Sequence, residues 1–379
     1  MIIYSERVCL PDGIRPAYLI EENGRIKAVA GKEAGLKADV DYGNQRIIPG
    51  IFDTHNHGTH GYGLSGQVSE DPAVQKPTIR HYLKGLASQG VTSIFPTCAV
   101  GMIRSVSEVA DEENEGADIV GIHSEGPWLN RVGEKGIKTG WPEVSLDTAK
   151  QMVADGQGKL KLVALAPEIP GIDPIIEYFL SQGVTLAYAH SDCTYEEAMA
   201  AVEAGASVWV HVYNGMRGFT HREPGMVGAA FDSPETIGEL IADGHHVVPA
   251  ACKVLIKQKT PQGVALITDC MSAGGRPDGD YMLGELPVIV ENGTARLKEG
   301  GNLAGSILQL KDGVKHVVDW GLATVAQALQ MATSVPAKSV GIENTCGSLK
   351  AGLPADFIVL DDSLDLQATY VDGRKGWEK

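Results

Sequence analysis

The sequence predicts an α/β fold: a (β/α)8 TIM-like barrel joined to a small β-sandwich that both chain ends build. Three observations lead there. Eight short apolar runs of β character recur through the middle of the 379-residue chain. Helical patterns lie between most of them, the alternation that a parallel barrel requires. Both ends read as strands and turns, and neither is long enough to make a sandwich alone. The predicted domains are a composite β unit of residues 1–48 and 345–379 and a barrel of residues 49–344. Periodicity by itself leaves a doubly wound parallel sheet as the alternative.

The N-terminal hairpin is announced by Asn23-Gly24 between residues 17–20 and 25–30, since Asn-Gly adopts the positive φ a tight hairpin turn needs. Predicted strands follow at residues 47–53, 93–97, 119–123, 161–166, 185–189, 208–212, 237–242 and 264–268. Predicted helices fall at 72–89, 101–113, 146–154, 174–182, 195–204 and 250–259. Thr194 and Glu197 form a capping box at one helix start. Between residues 212 and 237 the helical signal is poor, and this Gly- and Arg-rich stretch reads as a long functional loop. After the eighth strand, residues 280–298 read as a hairpin turning at Asn292-Gly293. Helices at 307–320 and 325–340 come next, the second opened by a Thr324 and Gln327 capping box. Residues 356–360 and 368–371 close the chain as strands, the latter running into Asp372-Gly373.

Charge narrows the function. Against 32 basic residues stand 48 acidic ones, a net charge of −16. A nucleic-acid or anionic-membrane surface needs a basic face, so neither partner is expected. A small anion held in a locally basic pocket remains compatible. The six cysteines are scattered without a C-x-x-C pair, the usage of reduced, buried thiols. No apolar run approaches the ~18 residues of a membrane span. Residues 1–7 lack a basic segment followed by an apolar one, so a cytoplasmic location is expected.

Imidazoles and carboxylates gather at the C-terminal ends of the predicted strands. His55 and His57 follow the first, Glu125 the third, His190 the fifth, His211 ends the sixth, and Asp269 follows the eighth. That rim is where barrel enzymes keep their active sites. Alternate residues at a strand end point the same way, so one ion can take both His55 and His57. Donors of imidazole and carboxylate without thiolate suit zinc first, with iron, manganese or cobalt also possible. The set can fill one or two metal positions, with Glu125 as the bridge.

These residues sit in longer stretches: His123-Ser124-Glu125-Gly126-Pro127-Trp128-Leu129-Asn130, His211-Val212-Tyr213-Asn214-Gly215-Met216, His221-Arg222-Glu223-Pro224-Gly225, Ile241-Ala242-Asp243-Gly244-His245-His246 and Leu303-Ala304-Gly305-Ser306. Over roughly residues 47–361 the chain resembles the amidohydrolase superfamily, and within it the N-acetylglucosamine-6-phosphate deacetylases. The resemblance implies that Glu125, His190 and His211 bind the principal divalent metal. It implies a second position at His55, His57 and Asp269, and Asp269 as the general base and acid. It further implies substrate contacts from Asn214, Gly215, His246 and the phosphate-binding Arg222, and a homodimer in which Arg222 reaches the neighbouring subunit. Relatives carry His or Gln near the sugar where this chain carries Lys138, a substitution that bears on which sugar is taken. The expected substrate is an N-acetylated amino-sugar phosphate. N-acetylgalactosamine-6-phosphate or another acylated amine is the alternative. A non-catalytic scaffold fits poorly with a complete ligand set.

Overall fold

The structure, a computed structural model, describes residues 1–65, 69, 71–132, 137–138, 142–283 and 286–379. Its middle is parallel β alternating with helix. One three-stranded sheet orders Asp118–Ile119, Val91–Pro96 and Ile51–Asn56. A six-stranded sheet orders Ile122–Glu125, Leu160–Leu165, Thr185–Tyr188, Val208–Trp209, Ile237–Ile241 and Val264–Ile267. Single parallel bridges, Thr97 to His123 and Asn56 to Cys270, link the two sheets. The predicted third strand is thus split between them.

Helices Pro72–Ala87, Leu146–Gly156 and Tyr195–Glu203 start where their caps dictate. Asp71 accepts from the Ala73 amide at 2.9 Å, Ser145 from Thr148 at 3.2 Å, and Thr194 and Glu197 form the predicted box. Three further elements differ from expectation. The predicted strand 47–53 breaks at Pro49-Gly50: Arg46–Pro49 joins the terminal sheet and Ile51–Asn56 the parallel one. Gly50 is needed there, because a Cβ would lie 1.9 Å from Thr92 Oγ1. The predicted helix 325–340 is two helices, Val325–Met331 and Ser334–Ser339. Pro336 has no amide to continue the ladder. The stretch read as all loop holds the helix Gly225–Asp232, buried on every side from Gly225 to Ala230 and so without an amphipathic signature.

Both chain ends meet in one eight-stranded sheet. Its main path runs Arg374–Glu378, Leu366–Val371, Phe357–Leu360, Arg46–Pro49, Ile2–Leu10, Gly13–Glu22, Arg25–Gly31, and Val40–Asp41 pairs with Ile2–Leu10. Strand alternation divides its side chains. Ile47, Phe357 and Val359 pack with Ile3, Leu19 and Ile26 in the sheet's own core, while Ile48, Ile358 and Leu360 join the main core. Each such buried side chain contributes about 1.5–3 kcal/mol.

Inside the parallel strands, Phe52, Phe95, Leu162, Ala187 and Val208 cluster with Ala337, Val340 and Cys346. This cluster fills the space enclosed by the strands. The polar residues emerge at their C-terminal ends. Among the described residues no helix is long and apolar enough to cross a membrane.

Candidate active site

Six residues predicted at five strand ends converge. Glu125 ends its strand, and His55 lies one residue before the end of Ile51–Asn56. His190, His211 and Asp269 each sit two residues past a strand, all at positive φ (50°, 31° and 49°). A non-glycine residue held there costs of order 1–3 kcal/mol, a cost that concentrates at functional sites.

Glu125 is the hub. Its Oε1 lies 3.0 Å from Nε2 of both His190 and His211. Its Oε2 lies 3.2 Å from His57 Nε2 and 3.7 Å from His55 Nε2. Asp269 Oδ1 lies 3.3 Å from His57 Nε2 and 3.6 Å from His55 Nε2. The main chain fixes Asp269: its amide donates to His55 O, and Ser306 donates back to Asp269 O, both at 2.9 Å. Gly305 supports this contact at φ +66°, packed against Met271.

The electrostatics are those of a cation site. Among the described residues no Lys or Arg pairs with Glu125, Asp269 or the nearby buried Glu239. Buried anions cost several kcal/mol each unless compensated. Here the imidazoles supply the compensation. Burial lowers His57, but Asp269 and Glu125 outweigh it and lift the ring to about 9. His55 is likewise lifted well above its ordinary range against the effect of burial, by Glu125, Glu239 and Asp269. Burial raises Glu125 and Asp269, yet the imidazoles hold both carboxyls below their usual range. The carboxylates therefore call for positive charge where the Nε2 atoms point. At this site two groups of described residues have the spacing of metal ligands: His55, His57 and Glu125, and Glu125, His190 and His211.

Most of the residues predicted to contact substrate are anchored by local hydrogen bonds. Asn214 is tied to His211 O through its amide and its Nδ2, at 3.0 and 3.3 Å. Gly215 O accepts from the Ser191 amide at 3.0 Å, which joins the loops after the fifth and sixth strands. His246 Nδ1 bonds Asp243 Oδ2 at 2.6 Å, and Asp243 Oδ1 accepts the amides of His245 and His246 at 2.8 Å. Arg222 is exposed in a turn closed by Thr220 and Glu223 and makes no ion pair with another described residue. The backbone of Lys138 pairs with Arg131; its side chain lies outside the described residues.

Three residues escaped sequence reading. Glu239 bonds His55 Nδ1, Ser65 bonds His57 Nδ1 at 2.5 Å, and Glu168 accepts from Asn130, Ser191 and Asp192 around His190. Glu239 left one trace, a charge inside the apolar run Ile237–Ile241.

The model of the amidohydrolase family matches residues 46–377. The chain belongs to the amidohydrolase family. Among its relatives is the N-acetylglucosamine-6-phosphate deacetylase of Vibrio furnissii, 36% identical over 94% of this chain and 89% of that one. The N-acetylgalactosamine-6-phosphate deacetylase of Escherichia coli O157:H7 is 35% identical over 86% and 87%. Among solved structures, the N-acetyl-D-glucosamine-6-phosphate deacetylase of Mycobacterium smegmatis matches this amidohydrolase with a TM-score of 0.88, 30% identity and 99% coverage of both chains. An aspartate-to-alanine mutant of it, in complex with N-acetyl-D-glucosamine-6-phosphate, matches equally at 29% identity.

Proposed function

We infer that this chain is a metal-dependent deacetylase that releases acetate from an N-acetylhexosamine 6-phosphate, N-acetylglucosamine-6-phosphate first. The convergence of Glu125, His190, His211, His55, His57 and Asp269 on one centre carries this reading. Likeness to named deacetylases along nearly the whole chain supports it. The scaffold is one closed (β/α)8 barrel of residues 49–344, in which the two single bridges join the parallel sheets. Residues 1–48 and 345–379 form a β-sandwich closed on the core around Ile3, Leu19 and Phe357. The location is cytoplasmic.

The donor set fits a divalent ion, zinc foremost, with iron, manganese or cobalt in its place. Glu125, His190 and His211 would hold the principal ion, and His55, His57 and Asp269 a second. When bound, such an ion supplies a water acidified towards neutral pH and polarisation of the acetyl carbonyl.

Asp269 moves the protons. Its carboxylate stays ionised beside His57 and His55 and is fixed through its own backbone. It takes a proton from the attacking water and returns it to the sugar nitrogen as the C–N bond breaks. The amine leaves poorly unless protonated. Asn214 and Gly215 contact the substrate beside His211, and His246, braced by Asp243, contacts it from the seventh strand's loop. The exposed Arg222 guanidinium meets the phosphate, which it suits as a planar fork of donors. Lys138 stands near the sugar. Arg222 serves the neighbouring subunit's site in a homodimer.

The test is acetate release by zinc-loaded protein from both 6-phosphates and from the unphosphorylated sugars. Turnover of the phosphorylated pair far above the others is expected. Acetate from neither phosphate overturns the reading. The ratio between the pair assigns the epimer, which the relative named for N-acetylgalactosamine-6-phosphate makes a live question.

A further inference from the structure

We propose that Glu239 is a positioning residue that aims His55 Nε2 at the metal and makes His55 the stronger donor of the His55 and His57 pair. The proposal rests on the metal-dependent reading above. Glu239 is 1% exposed, in the strand Ile237–Ile241, whose other residues carry no charge. Its carboxylate takes two donors: the Thr54 hydroxyl reaches Oε1 at 3.0 Å, and His55 Nδ1 lies 3.3 Å from Oε2. Among the described residues it pairs with no Lys or Arg. An anion buried this way is expensive, so a neutral acceptor would serve Thr54 at lower cost.

The charge is useful through the imidazole. A carboxylate at Nδ1 keeps the proton there, frees the Nε2 lone pair and raises its basicity. His55 Nε2 then faces His57 Nε2 at 3.1 Å. Two ring nitrogens that near need a proton or a cation beside them. His57 has the weaker arrangement: its Nδ1 meets the hydroxyl of Ser65, which in turn donates to Thr97 O at 2.9 Å. The surroundings thus give one histidine of the pair an anionic partner and the other a neutral one. Glu239 also anchors the loop of His211, since its carbonyl accepts the Val212 amide at 2.9 Å.

The experiment titrates zinc against a competing chelator in the wild-type chain and in Glu239→Gln. The amide keeps the shape but offers one acceptor oxygen to two donors. Affinity for one bound ion is expected to fall about 10–100-fold, the range for such partners, with any other ion unaffected. Unchanged affinity for every ion overturns the proposal. A merely structural Glu239 would lower Tm and leave the chelator competition unmoved. If the variant does not fold, nitrogen-15 histidine NMR on the zinc-loaded wild type decides. His55 is expected to be protonated at Nδ1 and bare at Nε2; a proton on Nε2 overturns the assignment. A wild-type chain that takes up no ion instead removes the functional reading itself.

Discussion

Ser191 donates its hydroxyl to Glu168 Oε2 at 2.7 Å, tying the loop after the fourth strand to the residue that follows His190. The other Glu168 oxygen takes the Asp192 amide at 2.6 Å and Asn130 Nδ2 at 2.7 Å. One carboxylate thus gathers the loops after the third, fourth and fifth strands. Glu168→Ala strands these donors, at about 1–3 kcal/mol for each one left buried and unpaired. Thermal unfolding should show a clear drop in Tm, and kcat should fall at least about tenfold as His190 loses its frame. Wild-type values for both would mean that the loops hold themselves.

Metal removal should silence the enzyme. Dialysis against a strong chelator is expected to abolish acetate release, and zinc to restore it. His57→Ala removes one proposed ligand beside Asp269 and Glu125. Elemental analysis should find less metal per chain than in wild type, with ions at Glu125, His190 and His211 retained. Full metal content in this variant would take His57 out of the ligand set.

Asp269→Asn should fold and keep metal at Glu125, His190 and His211, yet lose about 10²–10⁴-fold in kcat, the span typical of a missing general base or acid. The amide cannot carry the proton from water to nitrogen. Single-turnover acetate release measures this step. A kcat near wild type would assign the proton work elsewhere.

Arg222→Ala removes an exposed guanidinium while leaving the metal centre intact. A charge-assisted contact to phosphate contributes about 1.5–3 kcal/mol, so KM for the 6-phosphate should rise about 10–100-fold with kcat little changed. Unphosphorylated sugars should be unaffected. An unchanged KM would place the phosphate elsewhere.

Where the parallel strands meet the terminal sheet, Asp118, Asp356 and Asp372 bring carboxylate oxygens within 4.8 Å of one another. Burial, then Asp372, push the Asp118 carboxyl up to about 7 from its ordinary 3.8, against the pull of Arg374. A folded-state pKa above the unfolded one favours the protonated native form. Its stabilising contribution is complete below about 3.8 and is lost as pH rises through about 7. Asp118→Asn should therefore match wild type near pH 4 and exceed it in Tm near pH 8. Parallel Tm profiles for the two proteins across that range would refute this.

The periodic skeleton and the chemistry it bears are legible along the chain. Strand and helix alternation, the Asn23-Gly24 and Asn292-Gly293 hairpins and the Thr194 and Thr324 caps are local, written within a few residues. The metal-ligand candidates were legible because polar residues at the ends of apolar strands stand out. Tertiary structure decided what depends on distant neighbours. Pro49-Gly50 divides one apolar run between two sheets, and Thr92 leaves no room for a side chain at Gly50. Helix Gly225–Asp232 forms without an amphipathic face because packing surrounds it. Glu239, Ser65 and Glu168 act only through partners far along the chain, and only folding turns the three into supports for His55, His57 and the His190 loop. Residue type can be read along a chain, whereas the aim of a ring nitrogen is set by what lies behind it.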